Sequence, residues 1–272
     1  MKDIAPAEIP AIKAKYSERP VKTEILYGIH PVREALKAAR RGIFEVYIAQ
    51  EKASGRLEKL TALSGSRSIA VKTVKGLRLK QLTGTAQHQG VAARVSPFPL
   101  KDISAIGHAI GSADRSDFLV LLDNVLDPQN LGAIIRTAVA VGVGAVIIPK
   151  KRSASPTPAV SRASAGALEH VFLARVTNMV NTIKILKEKG VWIFGMDPAA
   201  TDSIYAVDLT GAAAIVIGGE EKGLRPLVKK HCDSVISIPQ AGPVNSLNAS
   251  TAAAVVMYEA FRQRRCGYDK GV

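Results

Sequence analysis

The sequence predicts an α/β protein of two domains, a small one followed by a larger one built on an open parallel sheet. Its 272 residues are enough for two hydrophobic cores. Short apolar runs alternate with segments of helical periodicity, which is typical of strands joined by helices. Two runs, FLVLLDNV (118–125) and AAAIVIGG (212–219), are almost wholly apolar, as strands buried on both faces of a sheet are.

The first domain is predicted at residues 23–97. It follows a basic tail at 1–22, which has prolines and lysines without clear periodicity and is expected to be flexible. The pattern of strands and helices begins at Ile25 and predicts a small α/β sandwich. The predicted elements are a helix near 31–40, a strand at 44–49, a helix near 56–63, a strand at 68–74, a helix near 76–82 and a strand at 90–95.

A linker is predicted at 98–116, because this stretch combines prolines and glycines with one isolated helical segment. The second domain is then predicted at 117–272, where strand and helix alternate to the end. Its strands are expected at 118–125, 145–149, 170–176, 191–197, 212–219 and 234–239. Its helices are expected at 130–141 and near 159–167, 179–189 and 226–232, with a final helix that includes 252–261.

The net charge of +14 is concentrated in the first third of the chain. Residues 1–97 hold 18 Lys and Arg against 8 Asp and Glu, whereas residues 98–272 hold 19 against 15. Such a surplus attracts polyanions, and phosphate contacts are the usual source of nucleic-acid affinity. Solubility alone is the alternative explanation. Six Phe, six Tyr and one Trp are too few for a surface that stacks many bases.

Several classes of protein are not indicated. No apolar run approaches the roughly 18 residues that a membrane span needs. The first 20 residues lack the apolar core of a secretory signal, so a cytoplasmic protein is expected. Cys232 and Cys266 do not form a ligand-spaced pair and are expected to be free thiols. No metal site is expected either, because the histidines show no metal-binding spacing: His30, His88, His108, His170 and His231.

The first polar cluster lies in LDNVLDPQNLGAIIRTAV (122–139), where a strand ends and a helix begins. Asn130 can cap this helix. Arg136 follows among apolar residues, including Ile135, where a charge is costly unless it has a partner. An arginine near the carboxyl end of a parallel strand suits a phosphate or a carboxylate.

The second cluster is IVIGGEEKGLRP (215–226). A strand runs into Gly218, Gly219 and Glu220, and Gly223 closes the turn. Glycines there allow close approach of the backbone to a ligand at the carboxyl edge of a parallel sheet. The order of residues does not fit a P-loop, and GVG at 142–144 lacks the third glycine of a dinucleotide-binding fingerprint.

The third cluster is ISIPQAGPVNSLNASTAAAVVMYEAF (236–261). Gly242 and Pro243 predict a loop, and this loop delivers Ser246 and Asn248 to the start of an almost uncharged helix. Asn248 or Ser250 can cap that helix, so capping is a sufficient explanation for the polar residues taken alone.

Together the clusters are specific. NxGxxxRTA, GxExxGLR and IPxxGxxxSLNxSxAxxxxxYE, in this order, resemble the three motifs of the SpoU branch of the SPOUT RNA 2′-O-ribose methyltransferases. The similarity covers 118–265. YGIHPVREAL (27–36) and HQGVAARV (88–95) resemble the substrate-binding domain of this branch, which is itself similar to ribosomal proteins that bind kinked RNA. The combination is most similar to bacterial 23S rRNA guanosine 2′-O-methyltransferases that act in the peptidyl-transferase region.

The resemblance implies a fold and a cofactor that composition and spacing do not predict. The second and third motifs would form a deep trefoil knot that holds S-adenosylmethionine. The expected cofactor contacts are Gly218, Ile238 and Leu247, with Gly219, Gln240 and Gly242 as neighbours. The family is homodimeric. The almost uncharged helix at 252–261 fits such an interface, and a helix of the domain core is an equal alternative.

The resemblance also implies catalytic roles for Asn130, Arg136, Glu220, Ser246 and Asn248. Since arginine stays protonated in proteins, we expect Arg136 to clamp an RNA phosphate and stabilise the developing alkoxide rather than act as a base. Asn130 and Glu220 would orient Arg136 or the ribose. Ser246 and Asn248 would shape the loop.

Two alternatives stay open at the level of the sequence. A transfer RNA 2′-O-methyltransferase of the same family would carry the same three motifs. A non-catalytic RNA-binding factor of ribosome assembly would explain the basic first domain, but it would not need the five polar residues of the motifs together.

Overall fold

The structure is a computed structural model and describes residues 22–51, 55–102, 104, 118–243 and 246–268. Within these ranges the chain forms two sheets, one in each predicted domain. Residues 1–21 of the predicted tail and most of the predicted linker lie outside the described residues.

The first domain is a four-stranded sheet with helices on both faces. Its strand order is β1-β4-β2-β3; β2 and β3 run parallel and the other pairs are antiparallel. The first strand, β1, was not predicted from the sequence. The elements are β1 (Glu24–Tyr27), α1 (Ile29–Ala38), β2 (Ile43–Ala49), α2 (Gly55–Gly65), β3 (Ala70–Val74), α3 (Gly76–Thr83) and β4 (Val91–Val95).

The helices of this domain pack on the sheet through the positions that their periodicity indicates. Leu36 of α1 and Leu60 of α2 are buried against Val46 of β2. On the other face, Leu79 of α3 is buried against Ala92 of β4. Each fully buried leucine contributes roughly 1.5–3 kcal/mol relative to an exposed one, so the two small cores hold the sheet between the helices.

The second domain contains a seven-stranded sheet in the order β7-β6-β5-β10-β8-β11-β9, and every neighbouring pair in it is parallel. The predicted α/β class with a parallel sheet is therefore confirmed. The strands are β5 (Phe118–Asp123), β6 (Ala145–Pro149), β7 (Leu173–Val176), β8 (Trp192–Met196), β9 (Asp202–Ser203), β10 (Ala213–Gly218) and β11 (Ser234–Ser237).

Helices cover both faces of this sheet, which explains the continuous apolar runs of its central strands. Every residue of β5 is buried. Val120 and Leu122 face one core and Leu119 and Leu121 face the other. The helices α4 (Pro128–Ala140), α5 (Pro158–Ala163) and α8 (Ala249–Tyr268) pack on the first face, and α6 (Met179–Glu188) and α7 (Pro226–His231) pack on the second.

The beginning of the predicted linker packs on the second domain. Phe98 is buried in the same core as Phe118. The backbone of Lys101 extends the sheet next to β7: its N–H donates to Leu173 O at 3.1 Å, and its carbonyl accepts from Arg175 N at 2.9 Å. The remaining domain boundaries stay predictions.

A buried ion pair joins the two domains. Arg41 follows α1, and Glu169 ends a short 3₁₀ helix, Ala167–Glu169; their side chains are 0% and 1% exposed. Arg41 Nε lies 3.0 Å from Glu169 Oε2, and Nη2 donates to Oε1 at 3.2 Å. Ser161 Oγ donates to the same carboxylate at 2.8 Å. Charged groups this deeply buried require such partners, so the first domain is held in a defined place on the second.

Candidate active site at the carboxyl edge of the parallel sheet

The three polar motifs meet where the central strands of the parallel sheet end. β5 and β10 are neighbours, and Asp123 at the end of β5 lies in register with Gly218 at the end of β10. The loops that follow these strands, 124–127 and 219–225, are therefore adjacent. The loop after β11 ends at α8 near the same edge, the region where open parallel sheets bind ligands.

The first motif begins α4 differently from the prediction. Asp127 is the N-cap: its Oδ1 accepts from Gln129 N at 2.9 Å, and Pro128 occupies the first helical turn. Pro at this position lacks only an N–H that would be unpaired anyway. The alternative explanation of Asn130, that it caps the helix, is therefore wrong. Asn130 lies inside the first turn, 7% exposed, and its Nδ2 donates to Asp127 Oδ2 at 3.4 Å and also faces the second motif.

Asn130, Glu220 and Asn248 form one hydrogen-bonded group, here called the amide–carboxylate cluster. Asn130 Nδ2 donates to Glu220 Oε1. Asn248 Nδ2 donates to the same oxygen at 2.8 Å and to Asn130 Oδ1 at 3.1 Å. One residue of each motif is thus brought together. Two donors fix the orientation of the Glu220 carboxylate, whose Oε2 takes no hydrogen bond from the described residues.

Asn248 also begins α8, as one of the two capping alternatives predicted. Its Oδ1 accepts from the backbone N–H groups of Ser250 at 2.9 Å and Thr251 at 3.3 Å. An asparagine amide has an acceptor end and a donor end. The acceptor end caps the helix and the donor end holds the cluster, so capping is confirmed and the role of Asn248 in catalysis stays a prediction.

Arg136 does not join the cluster. The expectation that it lies among apolar side chains is wrong, since its side chain is exposed while Ile134, Ile135 and Ala138 are buried. Arg136 is six residues beyond Asn130, about 9 Å along the helix and about 120° around it. It forms no hydrogen bond or ion pair with the part of the chain that the structure describes, and its guanidinium faces solvent.

A cavity of 340 Å³ opens beside the cluster, between the loops that follow β8, β10 and β11. Five of the six predicted cofactor contacts line this cavity: Gly218, Gly219, Ile238, Gln240 and Leu247. The sixth, Gly242, does not. Ser246 lines it too. Its size is that of small-molecule sites, about 300–1,000 Å³. Apolar walls from Met196, Ile217 and Ile238 alternate with backbone groups, a combination that fits an adenosine moiety.

A smaller cavity of 130 Å³ lies on the other side of Glu220. Asn130 and residues 124–127 line it, together with the same second-motif loop that borders the larger cavity. Glu220 lines both cavities, so a group bound in each would approach the other near this carboxylate.

The glycines of the second motif allow the backbone to pack closely, because a side chain there would clash with neighbouring backbone atoms. A Cβ on Gly218 would lie 2.3 Å from Gly223 C and 2.5 Å from Leu224 N. A Cβ on Gly219 would lie 2.2 Å from Asn124 O. The loop folds closely on itself and on the first-motif loop. This adds to the predicted reason for these glycines, the approach of a ligand.

Two ion pairs that hold the loops were not predicted from the sequence. Asp123 is fully buried, and its carboxylate accepts from Arg225 N at 3.0 Å and Arg225 Nε at 2.8 Å, which ties the first motif to the end of the second. Asp197 borders the larger cavity and pairs with Lys229 at 2.5 Å. The hydrogen bond from Lys229 lowers the pKa of Asp197. A lone Asp at the end of an apolar strand was the available signal for Asp123.

Neither a metal site nor a membrane-spanning helix is found in the described ranges. No group of three or more His, Cys, Asp and Glu side chains there is placed to hold a metal ion. His88, buried in a turn of the first domain, accepts from Gly90 N at 3.1 Å. None of the described helices is long and apolar enough to cross a membrane.

Comparison with known proteins assigns both domains to the same group. The model of the SpoU rRNA Methylase family matches residues 117–258, and that of the RNA 2′-O ribose methyltransferase substrate-binding domain matches 25–100.

The similarity to individual known proteins extends over nearly the whole chain. The 23S rRNA (guanosine-2′-O-)-methyltransferase RlmB of Escherichia coli K12 is 40% identical, over 89% of this chain and 99% of its own length. YacO of Bacillus subtilis, named for the TrmH family of tRNA/rRNA methyltransferases, is 38% identical over 89% and 96%. The SpoU methyltransferase AviRb of Streptomyces viridochromogenes, solved with the cofactor AdoMet, is 26% identical over 90% and 92%, with a TM-score of 0.75. The chain therefore belongs to the SpoU rRNA methylase family.

Proposed function

We propose that this protein transfers a methyl group from S-adenosylmethionine to the ribose 2′-hydroxyl of a guanosine in 23S rRNA. The observation that carries the proposal is the amide–carboxylate cluster, which joins all three motifs beside a cavity of cofactor size. The choice of 23S rRNA and of guanosine rests on the 40% identity to the Escherichia coli enzyme named for that substrate.

The larger cavity is the proposed site for S-adenosylmethionine, which supplies an activated methyl group on a sulfonium when bound. Ile238 and Leu247 would pack on the adenosine, and backbone groups near Gly218 would satisfy its polar edge. Gly219 and Gln240 border the same cavity. Gly242 does not line this cavity, and its place next to the cofactor stays a prediction. The trefoil knot implied by the family resemblance belongs to this part of the proposal.

The smaller cavity is the proposed place of the reacting ribose. Glu220 Oε2 is available to accept a hydrogen bond from the 2′-hydroxyl, and the amides of Asn130 and Asn248 keep the carboxylate in place. Positioning of this kind supplies much of the rate when the methyl donor is already activated. Ser246 lines the cofactor cavity and shapes the loop between the two bound molecules.

Arg136 is proposed to clamp an RNA phosphate. Stabilisation of the alkoxide that develops on the ribose, which the family resemblance also implies, would require its side chain to turn toward the smaller cavity. Its exposure and its lack of a carboxylate partner among the described residues leave the guanidinium available to RNA. A guanidinium binds phosphate with two parallel hydrogen bonds and keeps its charge at any physiological pH.

The wider setting is proposed from the same resemblance: a cytoplasmic homodimer that acts in the peptidyl-transferase region. Most of the uncharged stretch of α8 belongs to the domain's own core, since Val256, Met257 and Ala260 are buried. Tyr258 is 54% exposed on the same helix. This side chain supports a dimer contact.

The test is to map 2′-O-methyl groups on ribosomal and transfer RNA in a strain that lacks the gene. We expect one guanosine mark of 23S rRNA to disappear and to return when the purified protein and S-adenosylmethionine are added to that RNA. Loss of a mark on transfer RNA alone would replace the proposed substrate by the tRNA alternative. Loss of no mark, together with no cofactor binding, would favour the non-catalytic assembly factor.

A further inference from the structure

A cluster of three cations, here called the basic turn, lies near the active site and has no assigned role. It consists of Lys150, Lys151 and Arg152, all exposed, directly after β6. β6 is the parallel neighbour of β5, so the basic turn and the first-motif loop leave the sheet at the same edge. The similarity to the family, which covers 118–265, includes this segment, but it does not imply a function for it.

Hydrogen bonds fix the basic turn to the wall of the active site. At its start, Lys150 N donates to Val176 O at 2.7 Å. Just beyond it, Ala154 N donates to Val125 O at 2.9 Å, and Ala154 is itself buried at 7%. Val125 lines the smaller cavity together with Asn130 and Glu220. A backbone hydrogen bond therefore connects this segment directly to the proposed ribose site.

The backbone of the basic turn is strained at an arginine. Arg152 has φ +58°, a left-handed conformation in which non-glycine residues are uncommon. This conformation costs an L-residue roughly 1–2 kcal/mol, and glycine would adopt it freely. Strained residues of this kind occur at functional sites and in tight turns, and the backbone here holds Arg152 in a conformation that most residues avoid.

The three cations have no carboxylate within ion-pair distance among the described residues. Several cations of the first domain do have one: Arg33 pairs with Glu34, and Lys72 and Arg94 both pair with Glu45. Three adjacent charges that stay unpaired on a fixed backbone repel one another, unless an anion binds.

We propose that the basic turn binds the phosphates of the RNA strand that flank the methylated nucleotide. This inference rests on the proposed function and adds a specific anchoring site to it. The strand would pass from the ribose in the smaller cavity across the exposed turn. Lysine supplies a point charge and arginine a fork of donors, and both suit phosphate oxygens. The turn thus sets the affinity for RNA and takes no part in the transfer itself.

The test compares two variants with the same change of charge. The first carries Lys150→Gln, Lys151→Gln and Arg152→Asn; asparagine is chosen because it tolerates the left-handed conformation. The control carries Lys184→Gln, Lys189→Gln and Lys230→Gln, on or next to α6 and α7, which pack on the other face of the sheet from α4 and α5. These three cations are exposed and form no ion pair with the described residues.

For the basic-turn variant we expect KM for RNA to rise at least about tenfold, with kcat at saturating RNA and the Kd of S-adenosylmethionine within about twofold of wild type. Each lost phosphate contact should reduce the slope of log K against log salt by about 0.7–0.9. The control should stay within about twofold throughout. Equal effects in both variants, or an unchanged KM and salt slope in the first, would overturn the proposal.

A direct RNA-binding measurement separates this inference from the proposed function. If the wild-type protein methylates no RNA, the proposed function fails. Filter binding of 23S rRNA fragments to the same two variants still decides the basic turn: weaker binding in the first variant alone supports it, and equal binding in both refutes it.

Discussion

Asn248 joins the third motif to the other two through one amide group. Its nitrogen donates to Glu220 and Asn130, and its oxygen caps α8 through Ser250 and Thr251. A residue that performs both tasks connects the stability of the helix to the geometry of the active site. Substitutions that keep one task and remove the other can separate them.

Replacing Asn248 with serine or alanine separates the two tasks. Serine remains a good N-cap but lacks the amide donor, whereas alanine lacks both. We expect Asn248→Ala to lower the free energy of unfolding by about 1 kcal/mol relative to Asn248→Ser. Both variants should lose methyl transfer by more than about tenfold, because Glu220 loses the same donor. Urea unfolding and single-turnover transfer measure the two effects; wild-type activity in Asn248→Ser would show that the donor is dispensable.

Arg136 provides the second test at this scale, since its exposed side chain touches neither the cluster nor the cofactor cavity. Arg136→Ala should abolish methylation, with the Kd of S-adenosylmethionine within about twofold of wild type. Arg136→Lys keeps the charge without the fork of donors, and its rate of methylation should lie between those of the wild type and Arg136→Ala. Equilibrium cofactor binding and initial rates of transfer provide the measurements. Substantial turnover by Arg136→Ala would eliminate the proposed clamp.

At the scale of the elements, the loop after β10 depends on glycines. A methyl group on Gly218 would meet the backbone of Gly223 and Leu224 at 2.3–2.7 Å, and backbone cannot move aside as a side-chain tip can. Gly218→Ala should therefore lower the free energy of unfolding of the domain by about 1–3 kcal/mol and weaken cofactor binding more than tenfold. Gly211→Ala is the matched control, because a Cβ there meets nothing within 4 Å. Thermal unfolding and cofactor titration distinguish them; normal binding by Gly218→Ala would contradict this account of the loop.

The length and burial of an element decide whether the sequence predicts it. The buried strands of the second sheet were predicted because their apolar runs are continuous, as in β5. β9 has only two residues and is too short to show a periodicity, and in β1 only Leu26 is buried. Ile135 and Arg136 are sequence neighbours, but successive helical positions point about 100° apart. An apolar sequence around an arginine therefore does not imply an apolar environment.

The site residues show a similar division. The family resemblance, which rests on the three motifs, predicted that Asn130, Glu220 and Asn248 share one site. The structure brings their side chains into contact. The identity of the N-cap depended on which of two neighbouring polar residues the chain turns toward its own backbone. The sequence analysis considered only Asn130 as a cap, whereas the structure uses Asp127, and the carboxylate of the distant Glu220 provides a partner for Asn130. That contact spans 90 residues and has no local signal.

At the scale of the whole molecule, the first domain must present RNA to a site on the second. The buried pair of Arg41 and Glu169 fixes their relation, with Gly166 as a close contact beside it: a Cβ on this glycine would lie 2.8 Å from Glu34 Cβ. Glu34 also contacts His170 across the same boundary at 3.0 Å. We expect the two domains to move as one body during RNA binding.

Removing one member of the pair should make stability depend on pH. Burial raises the pKa of Glu169, and Arg41 opposes that rise. In Arg41→Met the carboxylate stays buried without its cation, which is expected to cost about 3–5 kcal/mol at neutral pH. A carboxyl whose pKa is raised by folding stabilises the protein below its unfolded pKa, and this contribution disappears as pH increases through the folded value.

Arg41→Met should accordingly approach wild-type stability near pH 5 and lose it progressively toward pH 8. The double variant Arg41→Met with Glu169→Gln removes the titrating group and should lose this dependence, because Ser161 can still donate to the amide oxygen. Urea midpoints of the wild type and these two variants at pH 5, 6.5 and 8 form the test, with transfer to 23S rRNA as the functional measurement. If Arg41→Met and the double variant show the same pH profile, Glu169 is not the group that titrates and the buried pair does not control the joining of the domains.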